Sequence, residues 1–254
     1  MKGNGKKAAS SAIVKKILAI RDKWHTKNHP FFQEMAKGKL PLRALGVYMA
    51  QHYRFVELVL PAFGHLLARS PEDVRYALIE NLAEEAGLQA LQKEGHVPHD
   101  HMEDILAFTR AAGLKDSEVR SLERTPAWWA RTLHYCSTLR DEPIGVALAM
   151  QSTQEGQQVA LNVEVTLPAF EKHYGYTRGD AEIAFFEEHA EVDAEHSGRQ
   201  LALTAKYVDT PELAARAVWV AEEACRLRWA SITDLYQTEV LKQKPVLPSG
   251  VRAA

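Results

Sequence analysis

The stretch AEIAFFEEHAEVDAEHSGRQLALTAKY, residues 181–207, reads as one helix, because its apolar residues recur near every 3.6 positions rather than every second one. The same period holds on both sides of it. Thr210-Pro211-Glu212 has the form of a helix start and opens a last helix reaching about Leu241, while Tyr174-Gly175-Tyr176 marks the turn before the stretch. Toward the N-terminus, Pro143 opens a long helix through Val146, Met150 and Val159 to about Pro168, and Thr125-Pro126 opens another holding Trp128, Trp129 and Leu133. A helix from about His101 stops at Gly113, and Gly95 to Asp100 reads as a polar loop. Ser70-Pro71-Glu72-Asp73 predicts a serine cap, a proline at the first helical position and acids in the first turn of a helix running through Leu78 and Leu82 to about Gly87. Leu42 to Leu67 is helical with Pro61 as a kink or break, and Ile13, Ile17, Leu18 and Trp24 outline a first helix. No alternating strand pattern, repeat or linker interrupts this series. The expectation is an all-α fold in a single helical domain over residues 1–254, with a core at about 12–240 and flexible tails.

Composition sets the broad class. The chain has 254 residues, is 46% hydrophobic and 25% charged, and carries a formal charge of −2, values of an ordered globule with no basic excess for nucleic acid. Its longest apolar runs are cut by Glu57 and Gln151, so no membrane span is expected, and the basic N-terminus lacks a continuous apolar signal segment. Cys136 and Cys225 are too few for a disulfide framework or a cysteine metal cage. A soluble cytoplasmic protein is expected. Trp128, Trp129, Tyr135, Trp219, Trp229 and Tyr236 fall at helical spacing and predict core or dimer packing.

Within residues 181–207, His189, Asp193 and His196 stand four and then three positions apart. At about 100° per residue they lie near 0°, 40° and −20° around the helix, one narrow stripe. Two imidazoles and a carboxylate are a hard nitrogen-and-oxygen set that suits iron or manganese. The competing reading is a solvated, acid-rich helix with incidental histidines. Two glutamates favour the cation site. Glu85 shares a face with Leu78 and Leu82, and Glu155 sits in the otherwise apolar or amide-bearing run from Val146 to Val159. A buried carboxylate is costly unless it is paired or metal-bound.

His29-Pro30-Phe31-Phe32, Gly38-Lys39-Leu40 and the run from Asn81 to Gly87 resemble the superfamily of thiaminase-II and pyrroloquinoline-quinone synthase, over about residues 12–240. The fold this implies is the haem-oxygenase-like helical bundle. Within that superfamily, the His-x3-Asp-x2-His stretch with upstream glutamate, histidine and glutamate is similar to the haem-oxygenase-like dinuclear iron oxidases. The resemblance implies six metal ligands: Glu85, His101, Glu155, His189, Asp193 and His196. Counting from Arg75 favours Glu85, while counting back from Gly87 would choose Glu84. His96 and His99, in an insertion before His101, are alternatives to it. Relatives that consume their own tyrosine carry it where this chain has Phe32. The nucleophilic cysteine of thiaminase-II has no counterpart in the run from Ala149 to Thr153.

The resemblance therefore implies a non-haem oxidase or oxygenase holding two irons per chain, or a manganese–iron pair. It would use O2 to oxidise a small organic molecule, with Glu155 bridging or capping both ions. A homodimer is the habit of the superfamily. One alternative is a metal-free oxidase similar to pyrroloquinoline-quinone synthase, in which histidines with Tyr53, Arg54 and Arg199 line a pocket for O2 or a carboxylated substrate. Another is a non-enzymatic helical interaction protein. A ferritin-like site needs Glu-x-x-His twice, and a zinc hydrolase His-Glu-x-x-His; the chain has neither pattern.

Overall fold

Side chains at the helix starts hold the first turns. Asp100 Oδ1 accepts from the Met102 and Glu103 amides (2.9 and 3.2 Å), Thr125 Oγ1 from Trp128 (3.4 Å), and Thr210 Oγ1 from Leu213 (3.2 Å). His29 does the same with a ring nitrogen, its Nδ1 accepting from the Phe31 amide at 3.1 Å ahead of Pro30. The computed structural model describes residues 2–88 and 100–244, with side chains for 12–88, 100–190 and 196–244. The helices are α1 (Lys2–Lys23), α2 (Pro30–Ala36), α3 (Leu42–Arg69), α4 (Glu72–Glu85), α5 (His101–Ala111), α6 (Asp116–Ser121), α7 (Pro126–Asp141), α8 (Ile144–Leu161), α9 (Leu167–Ala169), α10 (Ala184–Tyr207) and α11 (Pro211–Leu235). Among the described residues there is no strand, only one isolated antiparallel bridge between Ala86 and Asp100. The all-α expectation holds.

Helix α8 is the axis of the bundle. From Gly145 to Gln154 every side chain is buried, the pattern of a helix surrounded by others, and it packs against α1, α7, α10 and α11. Gly156 permits the closest of these approaches: a Cβ there would stand 2.6 Å from Ser197 Oγ of α10 and would overlap the Arg21 guanidinium of α1. Ser197 Oγ also donates to the Ser152 carbonyl at 3.2 Å. These contacts lock α10 against α8 beside Glu155. The second half of the core is aromatic, with Phe31, Phe32, Phe108, Trp128 and Phe170 fully buried. Each such ring contributes roughly 2–3 kcal/mol of burial.

Three local expectations are corrected. Pro61 does not end its helix: α3 continues to Arg69, with Pro61 on the exposed face while Ala62, Phe63 and Leu66 pack inward. Ser70 does not cap α4; its hydroxyl turns back to the Leu66 carbonyl (2.6 Å) and satisfies the end of α3, leaving Pro71 ahead of Glu72 without a side-chain cap. Helix α6 has no counterpart in the predicted series, since six residues are too few for a 3.6 period to register. The aromatic expectation divides. Trp128 and Tyr135 are core, Trp229 and Tyr236 are half-buried, and Trp129 and Trp219 are exposed. The loop predicted from Gly95, with His96 and His99, lies outside the described residues apart from Asp100, as does most of the C-terminal tail. Cys136 and Cys225 are free thiols.

Candidate metal centre

The bridge between Ala86 and Asp100 brings the end of α4 to the start of α5, and the next residue on each side is Glu85 and His101. Glu85 Oε2 lies 2.8 Å from His101 Nδ1. Helix α10 adds His189, whose ring centroid is 4.5 Å from that of His101. One ligand atom from each of Glu85, His101 and His189 falls within 4.8 Å of the others. This separation suits three donors around one ion, and a nitrogen-and-oxygen set is one that iron accepts.

Each member is prepared differently. The His189 Nδ1–H donates to the Phe185 carbonyl at 2.8 Å, which fixes the tautomer and leaves Nε2 free to bind. Burial, then the neighbouring His101, pulls the His189 pKa down to about 4, so the ring is neutral at pH 7. For Glu85 and His101 burial opposes charge, but each holds the other ionised: the carboxyl is driven down and the imidazole up. His101 Nε2 is buried with no hydrogen-bond partner, an orphan that a metal bond would satisfy.

The neighbouring glutamate faces another histidine. Glu84, 7% exposed, pairs through Oε2 with His196 Nε2, while Asn81 Nδ2 donates to His196 Nδ1 at 3.1 Å. The glutamates of residues 84 and 85 thus serve different imidazoles. Between the two groups stands Glu155 on α8, its oxygens held by Gln151 Nε2 (2.9 Å) and Gln200 Nε2 (2.6 Å). Burial pushes the Glu155 carboxyl up to about 7, with His196 pulling the other way. Asp193 belongs to α10 between the two histidines, and its side chain lies outside the described residues.

A cavity of about 80 Å3 opens beside these groups, lined by Glu85, His101, Glu155 and His189 among a mainly apolar wall that includes Phe55, Val59, Phe63, Ile105 and Phe185. Tyr53, Arg54 and Arg199 do not line it. The Tyr53 hydroxyl accepts from Arg120, Arg54 pairs with Glu57 at 2.8 Å, and Arg199 pairs with Glu80. A catalytic part for Tyr53 therefore finds no support in its position, because its ring points to α6 rather than to the Glu/His group.

Sequence reasoning missed several residues here. Asn81, Gln151 and Gln200 position the histidine and glutamate side chains; their signal was an amide recurring one helical turn from a predicted ligand. Arg131 and Arg228 also line the cavity. Their signal was a cation on a buried stripe: Arg131 lies between Trp128 and Tyr135 at helical spacing, and Arg228 between Cys225 and Ser231.

Residues 47–229 match the protein family described as "Iron-containing redox enzyme". The chain is similar to a 4-aminobenzoate synthase of Nitrosomonas europaea, 24% identical over 90% of this chain and 93% of that one. It is also similar to a 4-aminobenzoate synthase of Chlamydia muridarum, 23% identical over 78% and 80%. Among solved structures it resembles a Shewanella denitrificans domain with a heme oxygenase-like fold, with a TM-score of 0.73 at 19% identity, covering 96% of this chain and 97% of that one.

Proposed function

The chain belongs to the family of iron-containing redox enzymes, and from that premise we propose that it is an O2-dependent oxidase or oxygenase working with two irons per chain on a small, diffusible organic molecule. The observation that carries this is the convergence of Glu85, His101 and His189 on one cavity wall, with ligand atoms within 4.8 Å and a buried, unpartnered nitrogen on His101. These three would hold one ion. His196 and Glu84, with Asp193 of the same helix as His196, would hold the second, and Glu155 would be shared between the two. Bound ferrous iron supplies the electrons that O2 needs to become an oxidant.

The protein's own residues do the rest. Gln151 and Gln200 orient Glu155, the Phe185 carbonyl orients His189, and Asn81 orients His196. The apolar wall keeps water from the reacting centre. The similar proteins named as 4-aminobenzoate synthases point to aromatic amine chemistry as one candidate reaction. Phe32, fully buried against Phe31 and Tyr48, offers no hydroxyl to consume. We also infer a cytoplasmic homodimer, for which the exposed Trp129, Leu133 and Trp219 offer apolar surface, to be checked by light scattering. Among the described residues, no helix is long and apolar enough to cross a membrane.

The test is anaerobic loading with ferrous iron, metal counting and then exposure to O2. About two irons per chain, a count lowered by His189→Ala, and rapid O2 consumption are expected. A chain that retains no iron after desalting, or that retains it equally in the His189 variant, refutes the assignment.

A further inference from the structure

The cavity holds two cations that the metal centre does not explain. Arg131 of α7 and Arg228 of α11 are 4% and 2% exposed, and both line the cavity with Glu85 and His101. Among the described residues, neither guanidinium has a carboxylate within ion-pair distance. Arg228 Nη1 donates to the Gln154 carbonyl at 2.7 Å and Nη2 to Gln158 Oε1, but its Nε has no partner. Arg131 is emptier still. Its Nη2 reaches Gln154 Oε1 only at 3.5 Å, its Nε and Nη1 are buried without a partner, and its flat face lies over Phe55 and Trp128, 4.2 and 4.9 Å from the ring centroids.

A buried charge needs a counter-charge, and an arginine does not escape by losing its proton. Burial, then the like charge of Arg228, pulls Arg131 below the ordinary arginine range. The nearby carboxylates are committed elsewhere: Glu85 to His101, and Glu155 to two glutamine amides. Packing on Phe55 and Trp128 holds Arg131 in place, so its free edge is pre-oriented. Planar guanidinium edges match a planar carboxylate, which accepts two parallel hydrogen bonds.

We propose that Arg131 and Arg228 are the substrate-positioning pair, binding the carboxylate of a small carboxylic acid whose apolar body lies along Phe55, Val59 and Phe63, so that the end remote from the carboxylate meets the Glu85–His101–His189 centre. This deepens the proposed function and rests on it for the statement that the occupant is the substrate; the anion seat itself stands on the arginines alone. The cavity is small, about 80 Å3, which favours small acids.

The experiment is calorimetric titration of the full-length protein, iron-free and iron-loaded, with benzoate and hexanoate against benzamide and hexanamide, and with inorganic phosphate. At least one acid should bind, and its neutral amide should bind at least about tenfold more weakly. Arg131→Met and Arg228→Met should each weaken the acid by a similar factor and leave the amide unchanged, with Arg131→Lys intermediate. The iron count should be the same in all three variants. Equal binding of acid and amide, no binding of either acid, or phosphate binding as tightly as the acid overturns the proposal. Should the variants misfold, the acid-against-amide comparison on the unaltered chain still decides. Acid preference in a chain that takes up no iron sinks the diiron assignment and leaves the anion seat; iron uptake without acid preference does the reverse.

Discussion

Replacing Gln200 by leucine tests whether Glu155 is an oriented metal ligand or an incidental buried acid. Gln200 is 6% exposed, one turn beyond His196, and its Nε2 donates to Glu155 Oε2 at 2.6 Å. A hydrogen bond to an ionised group contributes about 1.5–3 kcal/mol. If that bond holds the carboxylate in its binding rotamer, its loss appears as weaker metal binding, about 10–100-fold. Folding should weaken as well. The Gln200 Oε1 atom is buried without a partner, so leucine removes one unsatisfied acceptor, but it also leaves the buried Glu155 Oε2 without its donor, and a net loss of about 1–3 kcal/mol is expected in the iron-free chain. The assay is anaerobic ferrous titration against a chelator of known affinity, with urea unfolding of the iron-free chain alongside. Gln151→Leu should weaken iron by a comparable factor. The double variant should depart from additivity, because the two amides grip the two oxygens of one carboxylate. Iron affinity within about threefold of the parent in the Gln200 variant would refute the reasoning.

Glu85→Ala should lower the iron content from about two to about one per chain, and Glu84→Gln should spare the ion held with His101 and His189 while weakening the one beside His196; metal counting on both variants fails this if they behave alike. His29 is held neutral in the fold, burial pulling its pKa from 6.5 to about 4, so between those values only the unfolded chain takes up the proton. Stability is therefore complete above about pH 6.5 and falls toward pH 4, by about 1–2 kcal/mol between pH 7.5 and 5 from this residue. His29→Asn keeps the cap on the Phe31 amide and should flatten that part of the pH dependence of the urea midpoint; an unchanged slope contradicts it. Gly46 lets α3 approach α5, with Ala112 Cβ and Leu114 Cδ1 each 2.6 Å from where a Cβ would stand. Gly46→Ala should cost about 1–3 kcal/mol despite the better helix propensity, read as a lowered thermal midpoint.

Local chemistry carried the helices. The caps at Thr125 and Thr210 lie where the sequence places them, and the long helices follow the 3.6-residue apolar period, because both depend on residues at most four positions apart. The errors were local competitions of equal standing. Ser70 could cap the following helix or close the preceding one, and Pro61 could end a helix or ride on its exposed face; neighbouring packing settled each.

By itself the sequence determined an all-α chain and the placing of His189 and His196 on one stripe of one helix. It also determined the presence of carboxylates on faces that would otherwise be core. Only the tertiary structure decided that Glu85 meets His101 and His189 while Glu84 turns to His196, a choice made by the bridge that joins the ends of α4 and α5. Only it brought Arg131 and Arg228 to the same cavity from helices nearly a hundred residues apart. The reason is one of range. Periodicity assigns each side chain to a face, but which faces meet depends on how helices cross and pack, and that is a property of the whole bundle.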